Sequence, residues 1–433
     1  MMFDLPKYGD GICLARLSAL LEALGIDRAR LQRRSIVITG SNGKGSTAAF
    51  AAGIGQAAGL KTGLFTSPHL YRVNERFRVD GNDIDDATLG ALTLRVHVAI
   101  AAMPREQFGA FEAQFALACL YFQRADCALM VFEAGIGGRF DPVRLIGASI
   151  TCVTSVDYEH VDLLGETLEA IVSDKSDACA AAGTIVYGEN CRDLAAHVLA
   201  YNQPRAVTSL FVGDHVVIEN AAHDSHFDLR FGTIHLDALG IALPGRFQIN
   251  NAAIAATLML LWLEREHPEM AIEPIDAAIR SGLHETRWPG RLDVVSDDPL
   301  TVIDVGHTPD GVTQALSGLF ATHGDENWML VLGISRDKDI AAIAQRLAPS
   351  FANIICTSAH HKGADAEIVA AAVRAANSDA TIHIASTIAD AVRISRDIAL
   401  EANRRIFVAG GLFVAIEYAH VVKGGDAKEL KFF

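Results

Sequence analysis

Residues 35–47, which read SIVITGSNGKGST, decide the fold class of this 433-residue chain. The run SIVIT is largely β-branched and apolar, which predicts a buried strand over residues 35–39. The run GSNGKGST follows it directly and leads into a predicted helix over residues 47–58. Glycines let backbone N–H groups close around phosphate oxygens, and a helix N-terminus adds partial positive charge. The stretch therefore predicts a phosphate-binding loop between a strand and a helix.

The side chains of this loop are suited to a nucleotide. Lys44 can reach the β- and γ-phosphates, and the Ser46 hydroxyl can bind Mg²⁺. A glycine separates these two residues, so the loop departs from the common G-x-x-x-x-G-K-[ST] spacing. The competing interpretation, a solvated lysine on a plain turn, is disfavoured by the position of the loop between strand and helix. The residues expected to contact the nucleotide here are Asn42, Gly43, Lys44, Gly45, Ser46 and Thr47.

Short β-branched runs alternate with alanine-rich stretches over the first half of the chain. Further strands are predicted at residues 128–132, 150–154 and 184–187, and helices at 11–26 and 111–123. This alternation predicts an α/β fold with a mostly parallel sheet. The region 207–243 instead carries short alternating runs around Gly232, which predict an antiparallel ribbon, and a helix is expected over 248–264.

A polar, proline-bearing segment around residues 290–299 predicts a domain boundary. We expect one domain over residues 1–293 and a second over 299–433. Strands of the second are predicted at 301–305, 328–333, 354–357, 382–385 and 406–409. Helical stretches separate these strands, which indicates a smaller, Rossmann-like α/β domain.

Composition restricts the classes of function that remain. The formal net charge of -15 disfavours nucleic acid as a partner, because its phosphates would be repelled. The N-terminus lacks the pattern of a signal peptide, and no apolar run reaches the roughly 20 residues that span a bilayer. The seven cysteines show no Cys-x-x-Cys spacing and are expected to be buried free thiols. We therefore expect a cytoplasmic protein without nucleic-acid or membrane partners, and a monomer.

Further motifs follow the loop in a fixed order. They are Thr66-Ser67-Pro68-His69-Leu70, FEAGIGGRFD at 132–141, His160 with LGET at 164–167, Asp174-Lys175, LPGRFQ at 243–248 with Asn251, WPGR at 288–291, DVGHTP at 304–309, Gly333 with DKD at 337–339, and GGL at 410–412. This series resembles the motifs of folylpolyglutamate and dihydrofolate synthases, a branch of the Mur ligase superfamily. The resemblance implies a P-loop, Mur-ligase-like central domain followed by a C-terminal Mur-ligase-type domain.

The resemblance also implies an activity. Members join an amino acid, here expected to be L-glutamate, to a pteroate- or folate-like carboxylate through an acyl-phosphate made from ATP. Making an amide in this way requires that charge on the phosphates be neutralised and that water be excluded. By resemblance, Asn251 contacts adenine, Arg291 reaches the phosphates, Asp304 holds the ribose and His307 lies beside the nucleotide.

The expected catalytic set is Lys44, Glu133, His160 and Lys175, and the expected Mg²⁺ ligands are Ser46, Ser67, Glu133 and His160. Glu133 ends an apolar strand, where an unpaired carboxylate would be costly, so its position favours a metal ligand over a core residue. The roles of Ser67 and His160 rest on the resemblance. Lysines at the place of Lys175 are often carbamylated in this superfamily and support a second Mg²⁺. A solvated helix lysine is the alternative.

Several positions depart from the family pattern. Pro142, Val143 and Arg144 replace its A-T-N, Phe247 and Thr308 replace a histidine and an asparagine, and Glu159 replaces an aspartate. These departures leave the predicted nucleotide-binding and metal-binding motifs nearly complete. They leave the identity of the acceptor substrate open. Arg144 would suit a more acidic substrate, or would be a surface change without meaning.

Three functions stay open at this point. The segment KYGDGI at 7–12 resembles that of members acting on both dihydropteroate and folates, which favours the folate enzyme. A specialised paralog would ligate an amino acid to another carboxylate. A binding protein without turnover is disfavoured because the proposed catalytic residues are all present.

Overall fold

The structure, a computed structural model, describes residues 5–6, 11, 13–103, 107–222 and 225–432. The first sheet has eight strands in the order β4-β3-β2-β5-β1-β6-β7-β8. The strands are β1 (Ser35–Thr39), β2 (Thr62–Phe65), β3 (Phe77–Val79), β4 (Asn82–Asp83), β5 (Leu129–Glu133), β6 (Ile150–Val153), β7 (Thr184–Tyr187) and β8 (Thr208–Phe211). From β2 to β8 all neighbours are parallel, whereas β3 and β4 form an antiparallel edge. The predicted, mostly parallel sheet is confirmed.

Helices cover both faces of this sheet. They are α1 (Leu14–Ala23), α2 (Arg28–Arg33), α3 (Lys44–Ala57), α4 (Asp86–Ala101), α5 (Ala110–Arg124), α6 (Val161–Leu164), α7 (Leu168–Ser176), α8 (Ala195–Asn202), α9 (Phe247–Glu266) and α10 (Ile272–Glu285). Helices α3, α9 and α10 pack in one core, and α1, α4 and α5 pack in another. Since β1 and β5 are buried along their whole length, they lie between two helical layers, which explains their continuous apolar sequences.

The predicted ribbon is an antiparallel sheet of β9 (Val216–Ala222), β10 (His226–Phe231) and β11 (Ile234–Gly240). Gly232 has a φ of +58° in the tight turn between Phe231 and its partner Ile234. The ribbon buries Phe227 and Leu239 against the core that contains α9.

The second half forms a six-stranded sheet in the order β12-β13-β17-β14-β15-β16. Its elements are β12 (Asp293–Asp297), β13 (Leu300–Ile303), α11 (Pro309–His323), β14 (Trp328–Leu332), α12 (Ile340–Leu347), β15 (Asn353–Thr357), α13 (Ala366–Ala376), β16 (Thr381–Ala385), α14 (Ile388–Ala402), β17 (Arg405–Ala409) and α15 (Leu412–Val422). Strand β12 lies inside the segment that we expected to be a linker, and it pairs antiparallel with β13. Its polar sequence fits an edge strand, which has only one neighbour and remains partly exposed.

The structure also bears on the cysteines and on the length of the helices. All seven cysteines are free, and all of them except the half-buried Cys13 are buried. Within the described ranges, no helix has the length and apolar character needed to cross a membrane.

Candidate active site

The phosphate loop has a conformation that demands glycine at two positions. Gly40 and Gly43 have φ values of +137° and +86°, in the left-handed region. A Cβ at Gly40 would lie 1.9 Å from Thr154 Oγ1, and one at Gly43 would lie 2.3 Å from Asn251 Oδ1. The loop therefore sits tightly between the end of β6 and helix α9, and neither glycine can carry a side chain.

Hydrogen bonds to the segment just after β6 fix the backbone of the loop. Asn42 N donates to Ser155 Oγ at 2.8 Å, and Thr154 Oγ1 donates to Asn42 O at 2.6 Å. Lys44 Nζ donates to Gly40 O at 2.7 Å, so the ammonium group lies across the loop. Gly43 is the N-cap of α3 and offers no side-chain acceptor, so the first-turn N–H groups are available to an anion.

A cavity of about 850 Å³ lies over this helix N-terminus, and both halves of the chain line it. Of the residues predicted for the site, those that line it are Asn42, Gly43, Lys44, Gly45, Ser46, Ser67, Glu133, His160, Asn251, Arg291, Asp304 and His307. Thr47 and Lys175 are not among the lining residues. Thr47 is fully buried behind the loop, because its place on α3 turns it toward the core.

Glu133 lies at the end of β5, where its Oε2 accepts from Ser67 N at 2.9 Å. Burial raises the pKa of this carboxyl to about 7. The positive charges that oppose the rise belong to Lys44, Arg291 and Arg76. At the edge of the cavity this carboxylate offers oxygen ligands of the kind that Mg²⁺ prefers. Among the described residues, no group of three or more His, Cys, Asp or Glu could hold a metal.

Lys175 is fully buried on α7, and its Nζ donates to Glu159 Oε1 at 2.6 Å. Burial alone would raise the pKa of Glu159, but the charges of Lys44 and Lys175 lower it to about 2. The alternative of a solvated helix lysine at this position is therefore wrong. Glu159 itself lines the cavity, so it connects Lys175 to the site.

The second half contributes Asp304 and His307 from the segment after β13. Asp304 accepts from Gly306 N at 2.7 Å and from Leu292 N at 3.1 Å, and burial raises the pKa of its carboxyl. Burial, together with nearby positive charges, lowers the pKa of His307 to about 4, so this imidazole is neutral at physiological pH. Thr308 Oγ1 donates to Asn42 Oδ1 at 3.3 Å, a direct contact between the two halves.

A second cavity, of about 530 Å³, adjoins the first and is mostly apolar. Its apolar lining includes Leu14, Leu17, Phe111, Phe140, Leu163 and Leu164. The two cavities share Ser67, Pro68, Gly135, His160 and His307, so they meet beside Glu133. An apolar cavity therefore lies next to the cavity over the N-terminus of α3.

Two carboxylates shape the glycine-rich turn between the cavities. Asp141 accepts from Gly135 N at 2.9 Å and from Ile136 N at 3.0 Å. Asp174 accepts from Gly138 N at 2.8 Å. These contacts were not predicted, although both aspartates lie in the motifs quoted above, because backbone acceptors cannot be told from ligands by sequence.

The departures from the family pattern fall in different places. Pro142 lines the apolar cavity, and Val143 is buried in the hydrophobic core. Arg144 is exposed and donates to Arg139 O at 2.8 Å, which supports a surface change rather than a substrate contact. Phe247 lines the larger cavity. Of the segment 7–12, only Gly11 lies within the described residues.

Comparison with known proteins gives the same assignment for both halves. The Mur ligase middle domain matches residues 38–259, and the Mur ligase glutamate ligase domain matches residues 290–412. Folylpolyglutamate synthase from Lacticaseibacillus casei is 34% identical over 360 residues, which are 81% of each protein.

Two further relatives extend this match. A probable bifunctional folylpolyglutamate synthase/dihydropteroate synthase from Halobacterium salinarum is 32% identical over 424 residues. That match covers 96% of this chain but 50% of the relative, so the chain spans about half of the relative's length. A solved FPGS–AMPPCP–folate complex superposes with a TM-score of 0.83 at 28% identity, over 97% of each chain. The phosphate loop, the paired cavities and these matches agree, and the chain belongs to the folylpolyglutamate and dihydrofolate synthase family of Mur ligases.

Proposed function

We propose that this chain is an ATP-dependent ligase that adds L-glutamate to a folate-like carboxylate, either dihydropteroate or a reduced folate. The γ-phosphate passes to the acceptor carboxylate, which yields an acyl-phosphate and ADP. The glutamate amine then attacks the acyl carbon, an amide forms, and inorganic phosphate leaves.

The observation that carries this proposal is the meeting of two chemically different cavities. One lies over the N-terminus of α3 and contains Lys44, which suits the phosphates of ATP. The other is apolar and large enough for an aromatic ring system. Their shared wall at Ser67, Pro68 and His160 is where a carboxylate and a γ-phosphate would come together.

The roles proposed for the nucleotide site follow from this placement. Lys44 and the first-turn N–H groups of α3 neutralise the phosphates, and Arg291 approaches them from the second half. Asn251 contacts adenine, Asp304 accepts from the ribose hydroxyls, and His307 lies beside the nucleotide. We propose that residues 1–293 and 299–433 are two domains that close around ATP.

The residues at the junction suit a Mg²⁺ ion shared with the phosphates. Glu133 is a buried carboxylate whose ionised form a divalent cation would stabilise, and Ser46, Ser67 and His160 line the same cavity. Because Mg²⁺ keeps several waters and takes few protein carboxylates in phosphate sites, it does not require a cluster of acidic ligands. When bound, the ion supplies charge neutralisation on the β- and γ-phosphates.

Lys175 is the proposed position of a carbamate that supports a second Mg²⁺. The ammonium of Lys175 first loses a proton, and the neutral amine then adds to CO₂ and releases a second proton, so the side chain changes from cation to anion. Its contact with Glu159, which lines the cavity, supports a place at the edge of the site. ¹³C NMR with labelled bicarbonate tests this: a carbamate signal is expected from the wild type, and none from Lys175→Ala.

A non-folate carboxylate is the second candidate acceptor, because Pro142, one of the departures from the family pattern, lines the apolar cavity. In either case, we propose a monomer that acts in the cytoplasm.

A phosphate-release screen tests the proposed function. Dihydropteroate, pteroate, tetrahydrofolate and unrelated aromatic acids are each supplied with ATP, Mg²⁺ and L-glutamate. Release that depends on a pteroate-containing acid, with a glutamylated product seen by mass spectrometry, is the expected result. Release with an unrelated acid alone would favour the paralog, and no acid-dependent release would reject the ligase.

A further inference from the structure

A buried ion pair lies beside the apolar cavity and has no part in the chemistry proposed above. Arg16, on α1, is 4% exposed, and Glu112, on α5, is 9% exposed and lines the cavity. Arg16 Nη2 lies 2.7 Å from Glu112 Oε2, and Arg16 Nε donates to Glu112 Oε1 at 3.3 Å. Two nitrogens of the guanidinium therefore face the two carboxylate oxygens, and the pair joins α1 to α5.

The same two side chains also hold backbone groups next to the cavity. Arg16 Nη2 donates to Gly11 O at 2.8 Å, and Glu112 Oε2 accepts from Gly109 N at 2.7 Å. The Arg16 guanidinium lies over the Phe108 ring, with Cζ 5.2 Å from the ring centroid. The ion pair is therefore tied both to the segment before α1 and to the start of α5.

One side of the apolar cavity is built from the beginning of the chain. We call this side the N-terminal wall, and it consists of Leu5, Gly11, Cys13, Leu14 and Leu17. These five residues do not line the larger cavity, which the apolar cavity meets at Ser67, Pro68 and His160. The N-terminal wall therefore bounds a part of the apolar cavity that lies away from the proposed site of phosphoryl transfer.

The chemistry of the walls indicates which part of an acceptor lies there. The second half of the chain contributes the charged residues Asp337, Lys338 and Lys362 to the apolar cavity, whereas the N-terminal wall is uncharged and mostly apolar. An aromatic ring system loses least by leaving water for an apolar surface. An acceptor whose carboxylate lies at the junction of the cavities would therefore place its rings against the N-terminal wall.

Net stability is a weak reason for a buried ion pair at this place. Taking two charges out of water costs about as much as their attraction returns, and apolar side chains of similar volume often replace such a pair without loss. The pair between Arg16 and Glu112 does fix positions, because its forked contact also holds Gly11 O and Gly109 N.

We propose that Arg16 is a positioning residue for the acceptor. Through Glu112 and Gly11 it holds the N-terminal wall against α5, so that the apolar cavity keeps a shape that fits the rings of the acceptor. This inference rests on the proposed ligase function and adds to it a residue that sets the affinity for the acceptor. Because the N-terminal wall is not part of the larger cavity, the affinity for ATP should not depend on Arg16.

The double variant Arg16→Met/Glu112→Gln tests the inference. It removes both buried charges together, so the Tm should stay close to that of the wild type. It also removes the donor to Gly11 O, so the KM for dihydropteroate should rise about fivefold or more, as expected for the loss of about one hydrogen bond. The KM for ATP should not change. If the double variant does not fold, Arg16→Lys takes its place, because an ammonium keeps the charge but not the forked contact, and the KM for dihydropteroate should again rise.

Arg34→Met is the matched control. Arg34 also pairs with a carboxylate, that of Asp126 at 3.0 Å, and it also donates to a backbone carbonyl, Cys127 O, at 2.9 Å. It lines neither cavity. The control should therefore leave the KM for dihydropteroate unchanged.

Labelling of Cys13 reports on the N-terminal wall without any turnover. Cys13 belongs to the wall and is half-buried, whereas the six other cysteines are buried. N-ethylmaleimide should therefore modify Cys13 first in the native protein, and mass spectrometry identifies the adduct. The double variant should be labelled several times faster than the wild type and the control, and pteroate should slow the labelling of the wild type.

The outcomes separate the role of Arg16 from the ligase activity. In a folded variant, an unchanged KM for dihydropteroate or an unchanged labelling rate would overturn the role of Arg16 and leave the ligase intact. An equal rise in the KM for ATP would also overturn it, because the effect would not be confined to the acceptor. A wild type without dihydropteroate-dependent turnover would reject the ligase. The labelling rate would still decide whether Arg16 holds the N-terminal wall.

Discussion

The ion pair between Glu159 and Lys175 makes a quantitative prediction about stability. In metal-free buffer depleted of CO₂, Glu159→Gln should lower the free energy of unfolding by about 3–5 kcal/mol, the range found when one partner of a buried pair is removed. The upper part of that range applies because the Lys175 side chain is 1% exposed and the Glu159 side chain 12% exposed, with Nζ 2.6 Å from the carboxylate. The glutamine would leave a buried ammonium without an anion.

Urea denaturation followed by circular dichroism measures this change. Glu166→Gln, an exposed substitution in the preceding loop, is the control and should stay within about 0.5 kcal/mol of the wild type. The double variant Glu159→Gln/Lys175→Met should recover much of the loss, because it removes both charges. A loss below about 1 kcal/mol in Glu159→Gln would refute the reasoning. It would mean that Lys175 is not a buried ammonium under these conditions.

Three further predictions concern the nucleotide side of the site. Lys44→Ala should abolish ligation with little change in Tm, because the lysine is the first residue of α3 and is only half-buried. Unchanged turnover would reject the phosphate-loop assignment. Thr308→Ala should lower the free energy of unfolding by about 1 kcal/mol, because Thr308 Oγ1 caps α11 by accepting from Gly311 N at 3.0 Å. Thr308→Asn should restore the lost stability, as measured by thermal denaturation. Small-angle scattering should show compaction when ATP and acceptor are both present, and an unchanged radius of gyration would contradict domain closure.

The strands whose bounds were predicted most closely are largely buried between helices. Strands β1 and β7 were predicted residue for residue, because their apolar runs end abruptly at turns. Edge strands such as β4 and β12 were missed. Strand β4 has only two residues and β12 is mostly polar, so neither sequence differs clearly from that of a linker.

For the site, too, single motifs were predictable and contacts between separate segments were not. Lys44 and Glu133, which were predicted from continuous motifs, both line the larger cavity, because the loop and the strand that carry them are each encoded in consecutive residues. Glu159 was noted only as a departure from the family pattern, because its contact with Lys175 does not follow from either motif. Only the tertiary structure shows that Glu159 and Lys175 form a buried ion pair.

Transfer of oxygen from the acceptor to phosphate is the measurement that bears most closely on an acyl-phosphate mechanism. The acceptor carboxylate, labelled with ¹⁸O, is incubated with the enzyme, ATP, Mg²⁺ and L-glutamate, and the released phosphate is analysed by mass spectrometry. If the carboxylate attacks the γ-phosphate and glutamate then displaces phosphate, each amide formed should send one ¹⁸O atom into phosphate. Amide product accompanied by unlabelled phosphate would contradict the mechanism.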